Sequence, residues 1–268
     1  MYNFHRFSRF WEPPEQLSVL ELVNTGTLDL HLAGLLWLMM EQRSSVIVSA
    51  GPNFAGKTTV LNMLLDFLLP AVKQVHLRGN YEDFKFTEGA RPSETYMVAE
   101  EFNTYFNYVW GDVARKAFQL LTRGYGLGGT IHARTPQEVV YILHRYLGLP
   151  LPVVSHLDAI INLRVTWGKT YGFEPLRQIE SVSLLIPEDD SITLEILAIR
   201  PPEEDNIEFV DSERLQRAFS VKYNAEYNDI EHEIAVREKI LGQLIRESRV
   251  SHQNVREVIL EFYKSHYS

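Results

Sequence analysis

Apolar positions along this chain follow two rhythms. Up to about residue 150, segments with helical spacing alternate with short β-branched or continuous apolar runs; from 159 to 199, apolar and polar positions alternate one by one. The first rhythm predicts buried strands with helices between them, and the second predicts half-exposed antiparallel strands. A short helix is expected over 15–24, stopped by Gly26, and a longer one over 28–42. Ser45-Val46-Ile47-Val48 reads as a strand, and the helix of about 57–69 ends at Pro70. Val75–Leu77 and Thr95–Glu100 read as further strands, separated by a polar, irregular stretch at 78–94. A helix over about 110–123 leads into Gly124-Tyr125-Gly126-Leu127-Gly128-Gly129, read as a glycine-rich turn. The strand Thr130-Ile131-His132 and a helix from Pro136 to Leu147 follow. Alternation of strands and helices implies a mainly parallel sheet, which binds ligands outside the carboxyl ends of its strands.

The antiparallel set comprises Ala159–Val165, Leu176–Ile186 and Ser191–Ile199. A hydrophilic connection at 201–206 precedes a helical tail over 211–267. The tail carries Ile230, Ile234, Ile240, Leu241, Leu244 and Ile245, then Val255, Val258, Ile259 and Phe262, at helical spacing.

Between the strand at 45–48 and the helix at 57 stands Gly51-Pro52-Asn53-Phe54-Ala55-Gly56-Lys57-Thr58-Thr59, which fits G-x-x-x-x-G-K-[ST] in the strand–loop–helix context that the pattern requires. Gly51 and Gly56 let the backbone curl so that its N–H groups face phosphate oxygens, and the helix adds the positive end of its dipole. Lys57 is placed to reach the β- and γ-phosphates, and the Thr58 hydroxyl to ligate Mg²⁺. ATP and Mg²⁺ are the expected cofactors. A second carboxylate is needed for the Mg²⁺ shell or the attacking water. Glu100 is the first choice, directly or through water. Glu101 is its rival, since alternation points the two to opposite faces. His132, at the end of a neighbouring strand, is a candidate to sense the γ-phosphate or polarise water; a structural role is the alternative. Glu82, Asp83 and Glu88 read more simply as a solvated acidic loop, and His144 and His156 lack partners at metal-ligand spacing. The chain thus divides into a lead-in segment (1–27), a P-loop NTPase domain with a β extension (28–200) and a helical C-terminal subdomain (201–268).

Composition narrows the picture. The chain has no cysteine, which excludes disulfides, zinc–thiolate sites and cysteine nucleophiles and fits a reducing compartment. The net charge is −9 with Lys and Arg dispersed, so no nucleic-acid partner is expected. Residues 1–6 lack the charged start and apolar core of a signal peptide. The most hydrophobic stretch, Leu28 to Met40, is too short to span a bilayer and is interrupted by Asp29 and His31. The expected location is cytoplasmic, with any membrane role exercised through a partner.

Several segments outside the P-loop resemble the secretion ATPase superfamily, the motors of type II and type IV secretion, type IV pili and archaella. They are Asn3-Phe4-His5-Arg6-Phe7, Val23-Asn24-Thr25-Gly26-Thr27-Leu28 and Ala33–Trp37. Thr130-Ile131-His132-Ala133-Arg134-Thr135-Pro136-Gln137-Glu138 is similar to that family's His box, and Leu157–Ile161 to the segment after it. Arg177-Gln178-Ile179 fits its C-terminal subdomain, and Glu233–Leu241 and Val255–Tyr263 resemble the helical tail of its archaeal members. The likeness is strongest to the archaeal-type and tight-adherence branches. It implies a RecA-like α/β fold, ATPase activity, a homo-oligomer that is a ring of six, and work at the inner face of a membrane with a platform protein or a paralogous ATPase. It also implies that His132 couples the nucleotide state to subunit motion.

The departures from the family pattern are specific. The family normally carries an N-terminal domain before this point, whereas this sequence opens at the segment resembling the linker into the motor domain. The Asp box, expected near 78–81, reads Arg78-Gly79-Asn80-Tyr81, with Glu82-Asp83 as a shifted replacement. Walker B reads Ala99-Glu100-Glu101-Phe102-Asn103, without its usual arginine, and Asn103–Asp112 reads as an aromatic-rich insertion. These changes carry the alternative expectation: a degenerate nucleotide-binding module with little hydrolysis, acting as a switch or beside an active paralogue. A P-loop kinase is disfavoured, since neither a basic lid nor an acceptor pocket is evident.

Overall fold

The computed structural model describes residues 16–105, 107–166, 175–202, 204–225, 227 and 229–267. The segment Asn3–Phe7 lies outside them. The described chain opens with α1 (Val19–Asn24) and α2 (Leu30–Glu41), followed by β1 (Val46–Ala50) and α3 (Lys57–Leu65). Next come β2 (Lys73–His76), three 3-10 turns between 79 and 94, β3 (Thr95–Phe102), α4 (Gly111–Leu121), β4 (Gly126–His132), α5 (Pro136–Tyr141) and α6 (Leu151–Val154). The remainder is β5 (Ala159–Thr166), β6 (Leu176–Pro187), β7 (Ile192–Ile199), β8 (Glu208–Phe209), α7 (Ser212–Tyr223), α8 (Ile230–Arg246) and α9 (His252–His266).

All eight strands form one sheet in the order β2-β3-β4-β1-β5-β6-β7-β8. Its first five strands pair in parallel, and β6, β7 and β8 continue it antiparallel. The fold is therefore α/β, a parallel sheet with an antiparallel extension and a helical tail. Three local expectations are corrected. β5 runs parallel to β1 on one edge and antiparallel to β6 on the other, so it is the strand where the sheet changes direction. Gly126–Gly129 is not a turn but half of β4. A Cβ on Gly126 would lie 2.3 Å from the Tyr96 ring, and one on Gly129 would lie 2.5 Å from Phe102, so the missing side chains let two rings of β3 lie against the β4 backbone. The helix expected from Pro136 to Leu147 is α-helical only to Tyr141, then winds as a π-helix over Ile142–Tyr146.

Each face of the sheet is covered. On one side, α2, α3 and the tail helices α7, α8 and α9 share a core with Val48, Ile161 and Val182; on the other, α4, α5 and α6 pack on Ile47, Met97 and Ile160. Ten of the twelve α2 residues are buried, so this helix is apolar all round because it has sheet on one side and tail on the other. Gly34 permits the closest crossing: a Cβ there would lie 2.9 Å from the Ile234 carbonyl of α8. The Trp37 indole donates to the Tyr263 hydroxyl at 2.8 Å, which donates on to the Phe67 carbonyl. Arg237 of α8 is 2% exposed and bridges Glu41 of α2 at 2.6 Å and Glu233 at 2.9 Å. Among the described residues, no helix is long and apolar enough to cross a membrane.

A buried ion pair costs most when one partner is removed and the other stays. Arg237→Ala is expected to lower stability by about 3–5 kcal/mol, measured by urea unfolding. The Glu41→Gln/Arg237→Met double variant is expected to lose less than Arg237→Ala alone; a larger loss would mean that Glu41 is not the charge left stranded.

Candidate functional site

β1 ends at Ala50, where the chain enters the glycine loop and re-emerges as α3 at Lys57. Gly56 caps α3 with φ +89°, a left-handed conformation that glycine adopts without strain. The first bond into α3 runs from the Val60 amide to the Gly56 carbonyl at 2.9 Å, so the amides of Lys57, Thr58 and Thr59 have no intrahelical acceptor. Ala55 is buried and pins the loop, while Phe54 is 90% exposed at its tip. The sequence-predicted phosphate loop is thus a curled backbone with free helix-terminal donors.

β4 lies beside β1 with Ala50 opposite His132, and β3 lies beside β4. Three side chains therefore meet at the carboxyl ends of adjacent parallel strands. Lys57 Nζ is 3.3 Å from His132 Nε2, and His132 Nε2 is 3.2 Å from Glu101 Oε1. The other ring nitrogen, Nδ1, is 3.4 Å from the Gly51 carbonyl. The imidazole has two neutral forms with different partners. A proton on Nε2 donates to Glu101, whereas a proton on Nδ1 faces Gly51 and leaves Nε2 to accept from Lys57. Burial pushes the Lys57 ammonium below the ordinary lysine range, and the Glu101 carboxylate pulls it part of the way back.

The two candidate glutamates, Glu100 and Glu101, both border the cavity but point differently. Between Ala99 and Phe102 the β3–β4 register slips: three steps along β3 match two along β4, from Gly129 to Ile131. The bulge turns Glu101 toward His132 and leaves Glu100 exposed at the cavity edge, its carbonyl accepting from the Thr130 hydroxyl at 2.7 Å. Asn103 Nδ2 donates to Glu101 Oε1 at 2.9 Å and fixes its direction. Beyond Glu101 the inserted chain comes round so that Val109 bridges Phe102 in parallel, with Val109 N donating to the Glu101 carbonyl at 3.1 Å. Gly79 makes room for it, since a Cβ there would fall 2.3 Å from the Asn107 carbonyl. The segment expected to hold the Asp box is therefore packed under this insertion. Glu82 accepts from its own turn, from Arg78 N at 3.1 Å and Phe84 N at 2.7 Å, and neither it nor Asp83 borders the cavity.

The cavity at these strand ends has a volume of about 1040 Å³. One end is the loop with Lys57, Thr58, Glu100, Glu101 and His132; the other is an apolar slot formed by Leu22, Leu163 and Leu176 with the Thr25 and Thr27 hydroxyls. A polar end with a lysine and helix-terminal amides, together with an apolar slot, fits a nucleoside polyphosphate in size and polarity. Among the described residues, no three His, Asp or Glu side chains cluster as a metal site. Mg²⁺ would thus take Thr58 Oγ1 and at most a carboxylate from the protein, with phosphate and water as its other ligands. Sequence reasoning missed the slot and Arg177, because β6 and the α1–α2 corner reach the loop only through the fold. It also missed Asn162, whose amide joins Ser49 (2.8 Å), Glu180 (2.7 Å) and the Arg134 carbonyl (3.1 Å) and ties β1 to the loop after His132.

No protein-family model matches this chain. It is 25% identical over 250 residues to an uncharacterized protein of Methanocaldococcus jannaschii, a match covering 84% of this chain and 91% of that protein. A second uncharacterized protein of the same organism is 24% identical over 278 residues, covering 92% of this chain and 49% of the relative, so this chain spans about half its length. Among solved structures, the VirB11 ATPase of the Brucella suis type IV secretion system, in complex with sulphate, aligns with a TM-score of 0.40 and 17% identity, over 61% of this chain and 54% of its own. The Legionella pneumophila ATPase DotB aligns with a TM-score of 0.36 and 10% identity, over 84% of this chain and 64% of its own. Likeness at these scores carries no functional weight, so the function has to be argued from the site and the sequence.

The opposed effects on Lys57 can be measured. In NMR titration of labelled lysine side chains, Lys57 is expected to lose its proton at lower pH than the surface lysines. Glu101→Gln removes the group that raises it, so its titration is expected at lower pH still. An unmoved Lys57 titration in Glu101→Gln would show that the carboxylate does not face the ammonium.

Proposed function

We propose that this chain is a motor ATPase of the secretion or pilus type, which binds Mg-ATP at Gly51–Thr59 and couples its hydrolysis to subunit motion in a homo-oligomer. The observation that carries the reading is the meeting of Lys57, His132 and Glu101 at the ends of three adjacent parallel strands, beside free α3 amides. The loop amides and Lys57 hold the phosphates, and Thr58 is the protein's Mg²⁺ ligand. Bound with the nucleotide, Mg²⁺ supplies charge neutralisation on the β- and γ-phosphates. Glu101 takes the role first given to Glu100, orienting water. His132 reads the nucleotide: with the ammonium drawn to phosphate, its Nε2 keeps only Glu101 as partner.

The motor assignment is supported by the sequence resemblance, above all the His box around His132 and the tail segments Glu233–Leu241 and Val255–Tyr263. By that resemblance the oligomer is a hexamer at the cytoplasmic face of a membrane, working against a platform protein in the bilayer, alone or with a paralogous ATPase.

The test is Mg-ATP binding by calorimetry and turnover by phosphate release, on the wild type, Lys57→Ala, Glu100→Gln and Glu101→Gln. Lys57→Ala is expected to lose binding. Glu101→Gln is expected to keep binding and lose about 10²-fold or more in turnover, the range of a general base, with a smaller loss in Glu100→Gln. Absence of binding by the wild type overturns the reading altogether. Binding with turnover no higher than in Lys57→Ala, including in the assembled oligomer, leaves a nucleotide-operated switch and overturns the motor.

A further inference from the structure

Arg177, the second residue of β6, lies across the phosphate loop. Its Nε donates to the Phe54 carbonyl at 2.8 Å and Nη1 donates to the Pro175 carbonyl at 3.3 Å. Its Cδ would sit 3.3 Å from a Cβ placed on Gly56, so the stem of the side chain lies flat on the loop's second glycine. Phe54 is a non-glycine residue with φ +58°, a conformation that an external hydrogen bond on its carbonyl helps to hold. Nη2 has no partner among the described residues, and the guanidinium borders the same cavity as Lys57.

Charge in the cavity calls for a second cation. Among the described residues bordering it, Lys57 and Arg177 are the lysine and arginine, set against the carboxylates Glu100 and Glu101. Lys57 alone would face a triphosphate while part of its charge is already engaged by Glu101. The strand after Glu101 continues as Phe102-Asn103 and brings no arginine to this end. Main-chain bonds fix where β6 begins: Arg177 pairs with Val165 of β5, and Ile179 N donates to the Thr27 carbonyl at 2.9 Å at the apolar end of the cavity. The guanidinium is therefore held in place by the fold, and a preorganised cation needs little rearrangement when charge arrives.

We propose that Arg177 is a phosphate-binding residue supplied by the same chain, clasping the loop through Nε and presenting its outer edge to the phosphates of a bound nucleoside triphosphate. This rests on the reading of the cavity as the Mg-ATP site. A guanidinium suits both tasks at once, because its donors are fixed in a planar fork.

Two substitutions separate clasp from charge. In Arg177→Gln the side-chain amide nitrogen occupies the place of Nε, so it keeps a donor for Phe54 and loses the cation. In Arg177→Lys a methylene occupies that place, so the clasp is lost and the cation kept. The measurement is the Kd for Mg-ATP and Mg-ADP by calorimetry on the full chain, with melting temperature as a check on folding. Arg177→Gln is expected to weaken Mg-ATP by about tenfold to a hundredfold, the worth of a charged hydrogen bond, and Arg177→Lys to bind more tightly than Arg177→Gln. Wild-type affinity in Arg177→Gln, or affinity in Arg177→Lys no better than in Arg177→Gln, reduces Arg177 to a clasp and overturns the proposal while leaving the site intact. Failure of the wild type to bind any nucleotide overturns the site reading, and this proposal with it.

Discussion

A buried ammonium has to be compensated, and the arrangement around Lys57 follows from that need. The side chain is 7% exposed, held by the start of α3 against the end of β4. Moving an ammonium out of water without a partner is costly enough that the group would shed its proton instead. Glu101 provides the counter-charge, with His132 between the two. A regular β3 would aim only one of two consecutive glutamates at this point, and the bulge before Phe102 determines which. Asn103 then holds Glu101 in direction, and Val109 N donates to the Glu101 carbonyl from the parallel bridge beside Phe102. The insertion that looks like a loss of pattern in sequence is what holds the carboxylate.

The strand that carries the loop is fixed at its opposite end by a second buried charge system. The Ser45 amide donates to Asp158 at 2.6 Å, and Lys222 of α7 reaches Asp158 at 3.2 Å while donating to the Ser155, Leu157 and Leu185 carbonyls. Burial drives both groups toward neutrality, the carboxyl upward and the ammonium downward, and each restrains the other. Tyr96, laid flat by the β4 glycines, adds a hydrogen bond to the Ser44 carbonyl at 2.6 Å. The amino end of β1 is thus tied to the tail and to β3, which leaves the variable chemistry at its carboxyl end.

Much of this was legible in the chain, and the illegible parts share a cause. The phosphate loop could be read because its residues are contiguous and each does a local job. The parallel part of the sheet was legible from strand–helix alternation. The β4 glycines were misread as a turn because glycine marks both a turn and a close backbone approach, and only the rings of Tyr96 and Phe102 distinguish them. Glu100 was preferred because it ends a buried strand, with Glu101 as its rival on the opposite face; which of them turns toward His132 depends on a bulge that leaves no trace in the hydrophobic pattern. β5 carries one strand pattern while serving two pairing directions. Arg177 could be read only as part of a segment like the family's C-terminal subdomain, since its place at the loop depends on β6 arriving there from far away in sequence.

The cavity draws its walls from different parts of the fold. Its polar end belongs to the parallel sheet through the loop, His132 and Glu101, and its apolar slot to the α1–α2 corner with the start of β6. Arg177 is the side chain of the antiparallel extension that hydrogen-bonds to the loop. The same β6 contributes Ile179, Val182 and Leu184 to the core shared with α7, α8 and α9. A molecule long enough to fill the cavity therefore touches both sheet directions, and the strand it touches on the far side is packed on the tail. Two-state motion requires an element whose position the ligand biases. In this fold β6 meets the first condition for that role, contact with the ligand's cavity at one end and with the tail's core along its length.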